Sequence, residues 1–253
     1  MATASRACSE KSMLWRICRV PVESLTDLQT WLTAIIESDM ELSMNRRYFN
    51  ASALGLLLSG SFTAQAKAQA TLLVVGDSLS AEYGLKRASG WVALLDKRLR
   101  DEGKAITVVN ASISGDTTSG GLSRLPALLK QHQPKLVLIE LGGNDALRGL
   151  PLKTSQDNLE AMVKAAQRQG AKVLLLGMQV PPNYGPQYAA EFSAMYAEVA
   201  KRHKAGLVPF FLKGVADTDN ADAMFQSDRI HPVEAAHPIM LGNVWPALKK
   251  LLP

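Results

Sequence analysis

The sequence predicts an α/β domain of three layers, a five-stranded parallel sheet between two layers of helices. Three observations carry this. Five short aliphatic runs begin at positions 71, 106, 136, 172 and 207, and stretches of helical periodicity fill the intervals. The runs are continuous rather than alternating, which is the pattern of strands buried on both faces. The first three run into small polar loops: Gly76-Asp77-Ser78, Ser114-Gly115-Asp116 and Gly142-Gly143-Asn144-Asp145. Strands alternating with helices make βαβ units, whose crossovers are right-handed.

The elements follow in order. The first strand occupies 71–75 and stops at Gly76. Residues 89–100 set Trp91, Val92, Leu94, Leu95 and Leu99 at helical spacing, and Asp101-Glu102-Gly103 ends that helix. A second strand at 106–109 feeds a polar loop and a helix over 119–131. The third strand, 136–141, is followed by an amphipathic helix at 154–169 that Gly170 closes. The fourth strand is 172–176, and a loop at 179–187 contains Pro181, Pro182 and Gly185. A helix at 188–203, a strand at 207–210, a polar loop at 224–232 and a helix at 234–252 complete the chain.

The first 70 of the 253 residues have a different character. Residues 44–70 show Arg46-Arg47, a moderately apolar stretch at 51–62, then Ala64-Gln65-Ala66 and Ala68-Gln69-Ala70. That layout predicts a secretory signal peptide, twin-arginine-like, with cleavage near Ala66 or Ala70. The apolar stretch is too short and too broken for a stable membrane span. A signal peptide belongs at an N-terminus, so Met44 is read as the true start and residues 1–43 as an upstream extension. The alternative is a real amphipathic extension, with a helix near 25–36.

Residues 71–253 hold 21 Lys/Arg and 17 Asp/Glu, without a dense basic run or interleaved aromatics, so no nucleic-acid partner is predicted. Both cysteines, Cys8 and Cys18, precede this region, which excludes a disulfide framework or a thiolate nucleophile there. That absence suits an oxidising compartment. No His/Asp/Glu cluster stands at ligand spacing, so neither metal nor cofactor is implied.

Ser78 sits at the carboxyl end of the first strand, where open α/β sheets bind ligands. Gly, Asp and Ser are also ordinary turn residues, which accounts for one such loop better than for three. The last polar loop adds Asp228-Arg229-Ile230-His231-Pro232. A carboxylate three residues before a histidine, in a turn, reaches the ring's Nδ1 and leaves Nε2 free as a base. Of the four histidines, His132 and His203 sit at polar helix ends and are expected at the surface, while His237 is expected to start a helix without an orienting carboxylate. Asp77 and Asp145 are expected to hold turns. Ser80, Ser112 and Ser114 are rival serines.

Gly76-Asp77-Ser78-Leu79, Gly115, Gly142-Gly143-Asn144-Asp145 and Asp228-x-x-His231-Pro232 stand in the order of four sequence blocks. The chain thereby resembles the SGNH (GDSL-type) hydrolases, with a flavodoxin-like fold. Stretches at 109–117, 121–134 and 141–149 resemble one subgroup, the bacterial periplasmic thioesterase/lysophospholipase/arylesterase enzymes. The resemblance implies Ser78 as nucleophile, His231 as general base and then acid, and Asp228 as its orienter. It implies an oxyanion hole from the N–H groups of Ser78 and Gly115 and the side-chain amide of Asn144. The substrate would be a small-molecule acyl ester or thioester, cleaved by a monomer. Loops at 146–152 and 179–187 are expected to form the acyl groove, lined by Leu147, Leu150, Pro151, Pro181, Pro182 and Tyr184. One departure stands out, because the subgroup usually has glycine where this chain has Arg229. An arginine is expected to hold the turn at φ < 0 and to face solvent or a charged leaving group. Two alternatives remain: a carbohydrate O-acetyl esterase of the same family, or a non-catalytic α/β module binding an anion in its βα loops.

Overall fold

The computed structural model describes residues 69–252. The expected extension at 1–43, the signal segment as far as residue 68 and the cleavage site at Ala66 lie outside it. The described elements are β1 (Ala70–Gly76), α1 (Trp91–Asp101), β2 (Ile106–Asn110), α2 (Thr118–His132), β3 (Leu136–Glu140), α3 (Gly143–Leu147), α4 (Leu152–Arg168), β4 (Lys172–Leu176), α5 (Pro186–His203), β5 (Gly206–Val208) and α6 (His237–Lys249). All five strands pair in parallel in the order β2-β1-β3-β4-β5.

The order places the site. The chain leaves β1 for the edge position of β2, then returns past β1 to β3 and continues outward in that direction. Right-handed crossovers in opposite directions put their helices on opposite faces. Accordingly α1 packs with α6, while α2, α4 and α5 pack in a row on the other side. The reversal opens a crevice at the carboxyl ends of β1 and β3, which is where such sheets bind ligands.

Burial explains the elements. Leu72 to Val75 and Val137 to Ile139 are buried to within 1% on the two central strands, as strands covered on both faces must be. Helix α4 buries Ser155, Leu159, Met162, Val163 and Ala166, one stripe at helical spacing. Helix α1 lacks a side-chain cap from its own N-cap, Gly90. Its first N–H, from Trp91, is accepted instead by Nδ1 of buried His237 at 3.0 Å. That histidine is a capping residue, and burial holds its pKa below the usual value.

Several boundaries differ from the expectations. Helices α4 and α5 each begin two residues early, α5 with Pro186 in its first turn, where proline's missing N–H costs nothing. Strand β5 ends at Val208, before Pro209, which cannot donate to a ladder. The last helix is divided into a 3-10 turn, Glu234–Ala236, and α6, with Pro238 at its start. The single turn α3 was expected to be loop. Among the described residues no helix is long and apolar enough to cross a membrane.

At the end of β4 the chain passes close to β5. Gly177 donates to Val208 O and accepts from Phe211 N–H, both at 2.8 Å. A methyl group there would lie 2.6 Å from Pro209 O and 2.9 Å from Val208 O, both backbone atoms. Gly177→Ala is expected to cost about 1–3 kcal/mol, the range of an overpacked core. Urea unfolding should show a lower midpoint with an unchanged slope.

Candidate active site

Three loops at the carboxyl edge of the sheet meet over the crevice. The turn after β1 carries Ser78, which is 9% exposed. His231 Nε2 lies 2.8 Å from Ser78 Oγ, and His231 Nδ1 lies 2.7 Å from Asp228 Oδ2. An ionised carboxylate only accepts, so Nδ1 carries the proton and Nε2 faces the serine as acceptor. The turn enforces this arrangement locally. Asp228 Oδ1 accepts the N–H groups of Ile230 at 2.9 Å and His231 at 3.0 Å. Those bonds, with the His231 ring, pull the Asp228 pKa down to about 2. Tyr83 lies across the imidazole with ring centroids 4.3 Å apart, and Gln226 ties the two loops by donating to Tyr83 O at 3.0 Å and Pro232 O at 3.1 Å.

Opposite the histidine stand three candidate oxyanion donors. Among the described residues no acceptor takes the N–H of Ser78 or of Gly115. Gly115 has φ +78°, a conformation that favours glycine, and no side chain blocks its amide. Asn144 differs, because its amide nitrogen donates to Asp77 Oδ2 at 3.1 Å and to Asp116 O at 2.9 Å. An oxyanion therefore has to share or displace one of these acceptors. The short helix α3 fixes the assembly. Buried Asp145 accepts from Thr118 N–H at 2.9 Å and from Ser155 Oγ at 3.0 Å, and Arg148 donates to Gly115 O at 2.8 Å. The partly buried Arg124 binds Asp116 at 2.8 Å, Gly76 O at 3.3 Å and Ala111 O, locking the loop after β2 to the end of β1.

Comparison with known proteins gives this geometry a family. Residues 74–239 match the model of the GDSL-like lipase/acylhydrolase family. The chain belongs to that family. It is 59% identical over 202 residues to the esterase TesA of Pseudomonas aeruginosa, covering 78% of this chain and 98% of that protein. It is 44% identical over 191 residues to the thioesterase 1/protease 1/lysophospholipase L1 of Escherichia coli, covering 76% and 88%. The crystal structure of TesA superposes with a TM-score of 0.69 at 60% identity, over 72% of this chain and 99% of that one. The member described here is thus an acyl-ester hydrolase rather than a passive anion-binding module.

Of the two expectations for Arg229, the negative φ is overturned and the exposure to solvent holds. Its φ is +57°, not negative. The turn dictates this: Arg229 N–H bonds Gln226 O at 2.9 Å while the next two amides converge on Asp228, so position 229 must be left-handed. The arginine side chain is exposed and forms no ion pair among the described residues. His203 is half-buried against Glu160 at 3.2 Å and His132 is also partly buried, so neither is simply a surface residue. Asp77 holds its turn by a local bond to Leu79 N–H, as expected, whereas the bonds of Asp145 are not local and reach Thr118 and Ser155. Of the expected acyl lining, Leu147 is 53% exposed, Pro151 is exposed and Leu150 half-buried; Tyr184 stacks on Tyr188 at 5.8 Å. The Pro182 side chain lies outside the described residues. Among the described residues the large exposed hydrophobic side chains are Tyr83, Ile113 and Ile230, each on a loop that also carries a site residue, and Leu147 at the end of α3, which carries Asn144. Tyr83, Ile113 and Ile230 were not expected there. The only sequence signal was their closeness to Ser78, Gly115 and His231.

A non-glycine residue in the left-handed region costs about 1–2 kcal/mol, so Arg229→Gly should raise the thermal midpoint. Burial raises the Asp77 pKa from 3.8 to about 6. The folded form thus binds this proton more tightly than the unfolded chain does. Its contribution to stability is greatest below pH 3.8 and falls as pH rises through 6. Asp77→Asn should shrink the stability gained between pH 6 and pH 4, read from melting midpoints.

Proposed function

We propose that this family member is an exported serine esterase that hydrolyses acyl esters and thioesters through an acyl-enzyme on Ser78. The unbroken chain from Asp228 through His231 to Ser78 Oγ carries this reading. Serine is a weak nucleophile until a base takes its proton. Ser78 Oγ attacks the acyl carbon as its proton passes to His231 Nε2. Asp228 stabilises the imidazolium, and the amides of Ser78, Gly115 and Asn144 receive the oxyanion. Collapse of the intermediate expels the alcohol or thiol, which takes the proton from His231. Water then adds to the acyl carbon, giving a proton to His231, and release of the carboxylic acid restores Ser78.

The exposed apolar rim at Tyr83, Ile113, Leu147 and Ile230 suits an acyl chain longer than acetyl, and so favours this reading over a carbohydrate O-acetyl esterase. The names of the relatives, esterase and thioesterase/lysophospholipase, point the same way. The exposed Arg229 is placed to meet an anionic leaving group.

Export rests on the signal-like segment at 44–70 and on Met44 as the start. Strand β1 bears on the cleavage point. Ala70 already pairs with Ile106 and donates to Ala105 O at 3.0 Å. Cleavage after Ala66 leaves that strand whole, whereas cleavage after Ala70 removes its first residue. The exported protein should begin at Lys67 by intact mass, and a mature form retaining residues 1–43 would contradict the start at Met44.

Rapid mixing with a nitrophenyl ester should give a burst of one nitrophenol per enzyme, the mark of an accumulating acyl-enzyme. Ser78→Ala and His231→Ala should each lower kcat by about 10⁴–10⁶-fold. Asn144→Ala should lower it by about 10²–10³-fold with little change in KM. Full turnover by folded Ser78→Ala would refute the mechanism.

A further inference from the structure

Beneath the nucleophile turn lies a group that the mechanism leaves unused. Strand β3 reads Leu136-Val-Leu-Ile-Glu140, and its closing glutamate is completely buried. Charged residues are almost never fully buried unless paired, and no cation among the described residues pairs with this one. Glu140 stands opposite Gly76 in the ladder between β1 and β3. A methyl at position 76 would sit 2.8 Å from Glu140 Oε2, so glycine admits the carboxyl under the turn. Oε2 accepts Ser80 Oγ–H at 2.8 Å and Asp77 N–H at 3.3 Å, and Ser80 Oγ accepts Trp91 Nε1–H at 3.1 Å. These contacts bracket Ser78 on both sides. The other oxygen, Oε1, is buried without a donor.

We propose that Glu140 is a positioning residue for the reaction, holding Asp77 from below and, through Asp77, orienting the Asn144 amide towards the oxyanion. Asp77 Oδ1 accepts Leu79 N–H at 3.0 Å, so its carboxylate cannot turn without opening the nucleophile turn. Its Oδ2 then fixes one hydrogen of Asn144. Two carboxyls this close and this buried do not both ionise. The proton resides on Glu140, whose pKa is pushed well above the usual value by burial and by the Asp77 charge, and a protonated Glu140 donates to Asp77. The orphaned oxygen is accounted for once it bears hydrogen. The other titratable groups acting on the pair are His231 on Asp77, and Tyr196 of α5, whose own hydroxyl donates to Leu141 O at 2.9 Å.

The inference rests on the serine-esterase reading, so the parent protein and Ser78→Ala are assayed first; Ser78-independent turnover there overturns the mechanism itself. Steady-state kinetics on a nitrophenyl ester are then compared for Glu140→Leu and Glu140→Gln, with circular dichroism confirming the fold. Glu140→Leu is expected to lower kcat about 10–100-fold, part of the cost of losing one oxyanion donor, with KM changed less than about threefold. Glutamine keeps the acceptor oxygen and replaces O–H by N–H, so Glu140→Gln restores most of the loss. In an Asn144→Ala background Glu140→Leu should cost less than about threefold, because residues acting through one another are non-additive. If Glu140→Leu does not fold, Asp77→Asn replaces it in the same cycle. Unchanged kcat in Glu140→Leu, a Glu140→Gln loss equal to it, or full additivity with Asn144→Ala overturns the proposal.

Discussion

The parallel pairing of β1 with β3 is the constraint on which the site depends. In its register Gly76 faces Glu140, and both strands end there. Ser78 follows two residues after the end of β1 and Asn144 four residues after the end of β3. Neighbouring strands lie about 4.8 Å apart, so the Ser78 turn and the candidate oxyanion donor Asn144 are delivered side by side by the sheet itself. A slip by one residue would reverse the faces of β3 and put its aliphatic side chains on the wrong helices. The hydrophobic pairing that makes the core is therefore also what sets the site's geometry.

Around that register the protein sorts its carboxyl groups by environment. Asp228, on an exposed turn, is surrounded by amide donors and an imidazole, and its pKa falls to about 2. Asp77 is buried beside the same site and moves the other way, to about 6. Glu140, wholly buried, moves up as well. Hydrogen bonding to the charged form wins at Asp228, while desolvation wins at the other two. Three carboxyl groups thus divide between two protonation states in one small volume: an anion that orients the histidine, an anion that holds an amide, and an acid that holds the second anion.

The sequence makes the larger features visible because they are periodic or contiguous. Continuous aliphatic runs mark strands buried on both faces, and the loops after them carry Ser78, Gly115, Asn144 and the Asp228–His231 pair. Local context can hide what tertiary contacts decide. Arg229 reads as a residue with negative φ, yet three converging amide bonds force it left-handed. His237 has Glu234 three residues before it, the spacing of Asp228 and His231, yet its Nδ1 accepts an amide 146 residues away. Helix α3 is a single turn, too short to show periodicity, although it carries Asn144 and Asp145 and is capped by Arg148. The exposed apolar side chains fared worst: residues such as Ile113 and Ile230 leave no burial pattern to read. Glu140 was legible in principle, as a lone charge closing an aliphatic strand.

The central claim is that Ser78 is the nucleophile of a working triad. The most direct measurement treats the folded protein with a fluorophosphonate probe and locates the adduct by peptide mass spectrometry. The account predicts one adduct per chain, on Ser78, formed in step with the loss of esterase activity. An adduct on another serine, or full labelling of Ser78 with activity intact, would contradict it.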